Sequence, residues 1–194
     1  MFYSTHLLFA DIVYKHLRSK MKIKKYSFRY GNIKPDVSTF KINMPHTIEG
    51  SIEYLVQEID LLLNEVNNIQ QLRSRGFARR LGIINHYIAD YFCRAHNKDM
   101  IDSGLITHLL YEKKLANLCK KNNIKKVQHN YNLDEITETG CTSIKEYILC
   151  MHSNYCKEAP DFAVDISYAL HTCIIIVNSI LNNCIENCSN RKAA

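Results

Sequence analysis

Apolar residues recur at helical spacing along most of the chain, and that feature leaves few folds open. Phe9, Ala10, Val13 and Leu17 share one face of a first helix, with Ser4 or Thr5 as its candidate N-cap. Ile52, Leu55, Val56, Ile59, Leu63 and Val66 make the buried stripe of a second helix over 48–68. A third is expected over 74–94 through Phe77, Leu81, Ile84, Ile88 and Tyr91, and a fourth from a cap at Ser103 to Lys121. Thr142 opens a fifth, with Glu146 in its first turns, and Pro160 opens a long sixth. Residues 122–140 form a polar connector. The stretch 20–45 is Lys-rich, is broken by Gly31, Pro35 and Pro45, and lacks a helical period, so it is expected to be an irregular functional loop. Only 3 Pro and 6 Gly are present, too few for the many tight turns of an all-β fold. The expectation is an all-α fold: one helical bundle over residues 1–194.

The net charge of +6 is concentrated early, at Lys15, Arg18, Lys20, Lys22, Lys24, Lys25 and Arg29. Such a cluster can attract phosphates or anionic lipid, but a solvated face and loop is the favoured reading. Asp11, Lys15 and His16 interrupt the only early apolar stretch, so no secretory signal is read and a cytoplasmic location is expected. The 8 cysteines are then expected to stay reduced and mostly buried. His171, Thr172 and Asn178 interrupt the apolar run 168–181, which is expected to be a core helix rather than a membrane span.

Two pairs carry chemistry. His86 and Asp90 lie four apart on one helix face, and His108 and Glu112 repeat that spacing on the next helix. Imidazole nitrogen and carboxylate oxygen are the usual non-thiolate zinc ligands, and two residues one turn apart can grip one ion without backbone strain. His96 follows the first pair. Alone, each pair is an ordinary surface contact; together they put five potential ligands on two helices joined by a short loop. His16, His129, His152 and His171 have no place in the pattern, with His16 expected to be exposed and His171 a hydrogen-bonded core residue.

The run His86-x3-Asp90-x5-His96-x11-His108-x3-Glu112 resembles the zinc-binding core of the bacterial zinc-dependent phospholipases C. That family also uses a histidine in its first helix, a loop aspartate and a later histidine. Here Thr5-His6, Lys34-Pro35-Asp36 and Pro45-His46 match in order. The resemblance implies two or three zinc ions. Asp36, His46, His86 and Asp90 would hold one, and His96, His108 and Glu112 a second. His6 and a bridging Asp90 would hold a third with the amine and carbonyl of Met1. It implies a phosphodiester hydrolase in which metal-activated water attacks a phospholipid or related head-group ester, at a membrane surface in the lipid case. Asp36 is expected to be the general base, or equally a plain ligand.

No Trp is present to match the family's N-terminal tryptophan, and neither its secretory peptide nor the lipid-binding β-sandwich of some members is expected here. Tyr26, Tyr30, Phe40 and Tyr91 are the candidates for an aromatic choline pocket. One alternative is a nuclease similar to the S1/P1 enzymes; the x11 spacing and Glu112 favour the phospholipase type and make nucleic acid the less favoured substrate. Another is a non-catalytic binding protein stapled by metal.

Overall fold

In the computed structural model, residues 1–17, 23–37, 44–97, 104–121, 136 and 140–193 are described. The fold is all-α. Helices run α1 (Tyr3–Lys15), α2 (Lys25–Gly31), α3 (Lys34–Val37), α4 (Ile48–Glu65), α5 (Ile69–Leu72) and α6 (Arg75–Tyr91). A 3-10 turn over Arg94–His96 follows, then α7 (Leu105–Lys121), α8 (Ile144–Tyr155) and α9 (Phe162–Ala193).

The middle of the bundle is α6, begun by Ser74, whose Oγ accepts the Phe77 amide at 3.0 Å. The expected stripe is buried, yet so is every residue from Leu81 to Tyr91. Helices α1, α2, α4 and α9 pack around α6, so no side of its C-terminal half faces water. Asn85, His86 and Asp90 are thereby carried into the interior. α9 is long and apolar enough to cross a membrane over Phe162–Asn190, but 72% of that apolar window is buried inside the protein. It packs on α1, α4, α6 and α8, as a core helix does.

Several local expectations need correction. α1 starts at Tyr3 after Phe2, with no side-chain cap, because the Met1 amine is drawn inward to acidic partners; Ser4 and Thr5 are inside the helix. Residues 20–45 are not wholly irregular: α2 and α3 lie there, stabilised by burial of Phe28 and by a close seam between Gly31 and Gly82. A β-carbon on Gly82 would stand 2.2 Å from the Phe28 carbonyl oxygen, so the two backbones meet where side chains are missing. α4 ends at Glu65 rather than 68, and α6 at Tyr91 rather than 94. The cap of α8 is Ser143, while Thr142 donates its amide and hydroxyl to Glu146 at 2.7 and 2.6 Å. Ser103, Phe40, His129 and nearly all of the connector lie outside the described residues. Five cysteines (Cys93, Cys119, Cys173, Cys184 and Cys188) are buried, Cys141 is half-buried, and Cys150 and Cys156 are exposed.

Candidate metal centre

The expected ligands are delivered by several local devices. His6 shares the inward face of α1 with Phe9, Ala10 and Val13, and is fully buried. α3 presents Asp36. His46 is held between Pro45, which packs on Gly50, and Thr47, whose Oγ1 caps α4 by accepting the Gly50 amide at 3.2 Å. His86 and Asp90 come from one face of α6, His96 from the 3-10 turn, and His108 and Glu112 from α7.

These side chains converge. His46 Nδ1 and His86 Nε2 stand 2.7 and 3.2 Å from Asp90 Oδ2. Asp36 Oδ1 lies farther out, 3.6 Å from His86 Nε2 and 3.9 Å from His46 Nδ1. The other Asp90 oxygen, Oδ1, faces the Met1 amine at 2.5 Å and His6 Nε2 at 3.2 Å. Glu112 Oε1 is 3.0 Å from His108 Nε2, 3.2 Å from His96 Nε2 and 3.0 Å from the Met1 amine. Asp90 thus presents one oxygen to each of two neighbouring groups, the geometry a bridging carboxylate needs.

The donor set fits a metal. Ligand atoms of His6, Asp36 and His86, of His46, His86 and Asp90, and of Cys93, His96 and Glu112 each lie within 4.8 Å of one another. Although His6 Nε2 stands 3.2 Å from Asp90 Oδ1, neither ring nitrogen of this buried residue makes a well-aligned hydrogen bond, a costly state that a cation would relieve. His86 Nδ1 must donate to the Asn32 carbonyl at 2.9 Å, which leaves Nε2 as a lone pair aimed into the cluster. Asn32 is itself fixed: its amide donates to the Phe28 carbonyl at 2.9 Å, and Asn85 Nδ2 donates to its Oδ1 at 2.6 Å.

Electrostatics keeps His86, His96, Asp90 and Glu112 in states that can bind a cation. Burial, with His6 alongside, holds His86 well below the usual imidazole range, and burial with the Met1 charge lowers His96 to about 4. Burial opposes ionisation of Asp90, but the Met1 amine and His6 hold it well below the carboxylate range. Against the same burial penalty, the bond with His96 and the Met1 amine lowers Glu112 to about 2. Burial raises Asp36; His46 is also raised, because its bond to Asp90 outweighs burial.

Sequence reasoning missed three supports. Cys93 reaches the His96/Glu112 group, and burial raises its thiol. Asn32 sets the His86 tautomer. Asp165, at the start of α9, is buried; its Oδ2 accepts the Arg94 amide at 3.0 Å and the Tyr111 hydroxyl at 2.9 Å, and its Oδ1 accepts Tyr155 at 2.8 Å. It ties the turn bearing His96 to the helix residue next to Glu112. No local spacing announces such a contact across 71 residues.

The remaining described histidines stay outside the cluster. His16 is half-buried rather than exposed, with Nδ1 bonded to the Ile12 carbonyl at 2.9 Å. His152 meets Asn97 Oδ1 at 2.9 Å, and His171 meets the Tyr147 hydroxyl at 3.3 Å. Tyr91 cannot line a choline pocket: it is buried and bonded to Ser51 Oγ at 2.9 Å. Tyr26 and Tyr30 line a different cavity.

The cluster opens into a cleft of about 380 Å³ walled by Met1, Phe2, Asp36, His46, His96 and Glu112. A second hollow of about 360 Å³ shares His96 and His108 and runs to Leu105. Around these mouths Tyr3, Val37, Leu105 and Leu109 are exposed at 60%, 54%, 73% and 44%, and Ile106 beside them at 75%.

No curated protein and no solved structure matches the chain significantly. The family model described as zinc dependent phospholipase C matches residues 5–162, well over half the chain and inclusive of all eight clustered side chains. Those residues and the all-α architecture that gathers them agree, and the chain belongs to the zinc-dependent phospholipase C family.

Proposed function

We propose that this protein is a zinc-dependent phosphodiester hydrolase of phospholipase C type, acting on phospholipid presented at an apolar surface. The observation that carries the reading is the setting of the cluster: converging imidazoles and carboxylates at the base of a cleft whose rim carries exposed Tyr3, Val37 and Leu109, with exposed Leu105 on the adjoining hollow. An apolar rim of this kind suits a surface of lipid chains rather than a nucleic-acid backbone.

Asp36, His46, His86 and Asp90 would hold one ion and His96, His108 and Glu112 another. Met1, His6 and the second oxygen of Asp90 would hold a third. Zinc supplies polarisation of the phosphoryl oxygens and a water nucleophile at neutral pH. The protein's part is placement. Asp36 lies on the cleft wall, a quarter exposed and farther from the imidazoles than Asp90, so its carboxylate is positioned to accept the proton of the attacking water. The apolar rim holds the acyl chains while the phosphoester reaches the cluster.

The test is a parallel assay of the zinc-loaded protein on phosphatidylcholine micelles, nitrophenyl-phosphorylcholine and single-stranded DNA. Diacylglycerol release from micelles, faster than turnover of the soluble ester, is expected. Cleavage of DNA alone would assign a nuclease, and no hydrolysis of any phosphate ester would leave the metals as staples.

A further inference from the structure

We propose that the cavity between α2 and the first turns of α6 is a second binding site, specific for a phosphomonoester group. It is an open hollow of about 460 Å³ lined by Lys24, Lys25, Ser27, Tyr30, Arg75 and Arg79, with no residue in common with the metal cleft. The early basic cluster of the sequence is therefore not a uniformly solvated face: part of it converges with two arginines 50 residues away on a concave wall.

The charges on this wall are not balanced. Among the described residues the only carboxylate in an ion pair with any of the four cations is Asp11, 3.5 Å from Lys25. Asp11 is already engaged by Arg29, whose Nη1 donates to both its oxygens at 2.7 and 2.6 Å. Lys24, Arg75 and Arg79 have no ion pair among the described residues. The next residue of α6 shows the contrast: Arg80 does not line the cavity and is paired with both Glu58 and Glu65. Arg75 and Arg79 are like charges one helical turn apart, an arrangement that is unfavourable by itself. It becomes favourable when an anion sits between them. The N-terminal end of the 17-residue α6 adds partial positive charge at the same place.

The chemistry of the wall selects the ligand. Two guanidinium forks match the oxygens of a phosphate better than a single carboxylate, and two ammonium groups favour a dianion over a diester monoanion. The Ser27 hydroxyl and Tyr30 phenol are further donors. A concave hollow of this size has room for one headgroup-sized anion. A free phosphomonoester and the headgroup of a lipid such as phosphatidic acid share that chemistry.

The experiment compares wild type with Arg75→Gln/Arg79→Gln, both exposed positions outside the metal machinery. As a control for general electrostatic attraction, Lys113→Gln/Lys114→Gln removes the same charge from the surface of α7. One arm is sedimentation with phosphatidylcholine vesicles carrying about 20% phosphatidic acid at near-physiological salt. The other is calorimetric titration with glycerol 3-phosphate, read as the difference between proteins because the metal cleft is common to both. The arginine variant should bind roughly tenfold or more weakly in at least one arm, with zinc content and turnover of a soluble diester unchanged. Loss in the vesicle arm assigns a lipid headgroup, and loss only in the soluble arm assigns a free phosphomonoester. Equal binding by wild type and the arginine variant, or an equal loss in the α7 variant, overturns the site.

Discussion

The amine of Met1 lies 2.5 Å from Asp90 Oδ1, joining the first residue to a carboxylate 89 positions along the chain. Burial disfavours the charged amine, yet Asp90 and Glu112 outweigh it and push its pKa up to about 11. In the metal-free protein a proton therefore sits where a third ion would be held, and zinc must displace it. Zinc binding at pH 8 should release this proton, and affinity for the third ion should rise with pH toward about 11. A few extra residues before Met1 should remove both effects and one zinc equivalent. Calorimetry in buffers of different ionisation enthalpy, with elemental analysis, measures this. Equal zinc and equal proton release in native and extended chains would leave Met1 without a role.

The same carboxylate sets a second expectation. Asp90 faces the Met1 amine, His6, His46 and His86, whereas His108 is at the edge, a quarter exposed and near Glu112. Asp90→Asn should cost more zinc than His108→Ala, at least one whole equivalent more. Equal losses would speak against a bridging Asp90.

What the sequence made legible follows from the range of each signal. The pairs His86/Asp90 and His108/Glu112 are local, fixed by helical geometry, so spacing alone located them. His6, Asp36 and His46 have no spacing of their own and were placed by resemblance. α2 and α3 were hidden because their order comes from packing of Phe28 and Gly31 against α6 rather than from an apolar period. Asp165 and Asn32 were invisible for a related reason: each acts through a contact made only in the folded chain.

Asp165 gives the helix after residue 162, where the family match ends, a part in the site. Its carboxylate accepts three donors, and an amide can accept at only one oxygen. Asp165→Asn should loosen the turn carrying His96 and weaken zinc at the His96/His108/Glu112 group roughly 10- to 100-fold. Zinc held by His46, His86 and Asp90 should persist, and Tyr155→Phe should have a smaller effect. A lower melting temperature with unchanged zinc affinity would reduce Asp165 to a structural role.

The metal-free protein should lose stability in mild acid. His96 titrates at about 4 when folded, against 6.5 for a free histidine, and His86 is also held well below that value. Between those limits the unfolded chain takes up protons that the buried imidazoles refuse, so stability falls as pH drops from 6.5 toward 4. His46 and Asp36 are raised and oppose this with smaller shifts. The net loss from pH 7.5 to 5 should be roughly 1–2 kcal/mol, read from urea midpoints after chelation. A rise in stability over that range would contradict neutral His86 and His96.

A final prediction joins the packing of α2 on α6 to the site. A β-carbon at Gly82 would lie 2.2 Å from the Phe28 carbonyl oxygen, 2.9 Å from Gly31 Cα and 3.1 Å from the Asn32 amide nitrogen. All three are backbone atoms and cannot swing aside, so Gly82→Ala must push the two helices apart. The cost should be about 2 kcal/mol or more. Because Asn32 carries the carbonyl that fixes His86, and Asp36 follows four residues later, the displacement should also lower zinc occupancy at the Asp36/His46/His86/Asp90 group. Gly76→Ala is the matched control on the same helix. Its β-carbon would meet only Ser74 Oγ, at 3.8 Å, so the change should be neutral or stabilise by up to about 1 kcal/mol, with zinc unaffected. Urea melts and zinc analysis of both variants decide the matter: if Gly82→Ala is as benign as Gly76→Ala, the seam does not position the site.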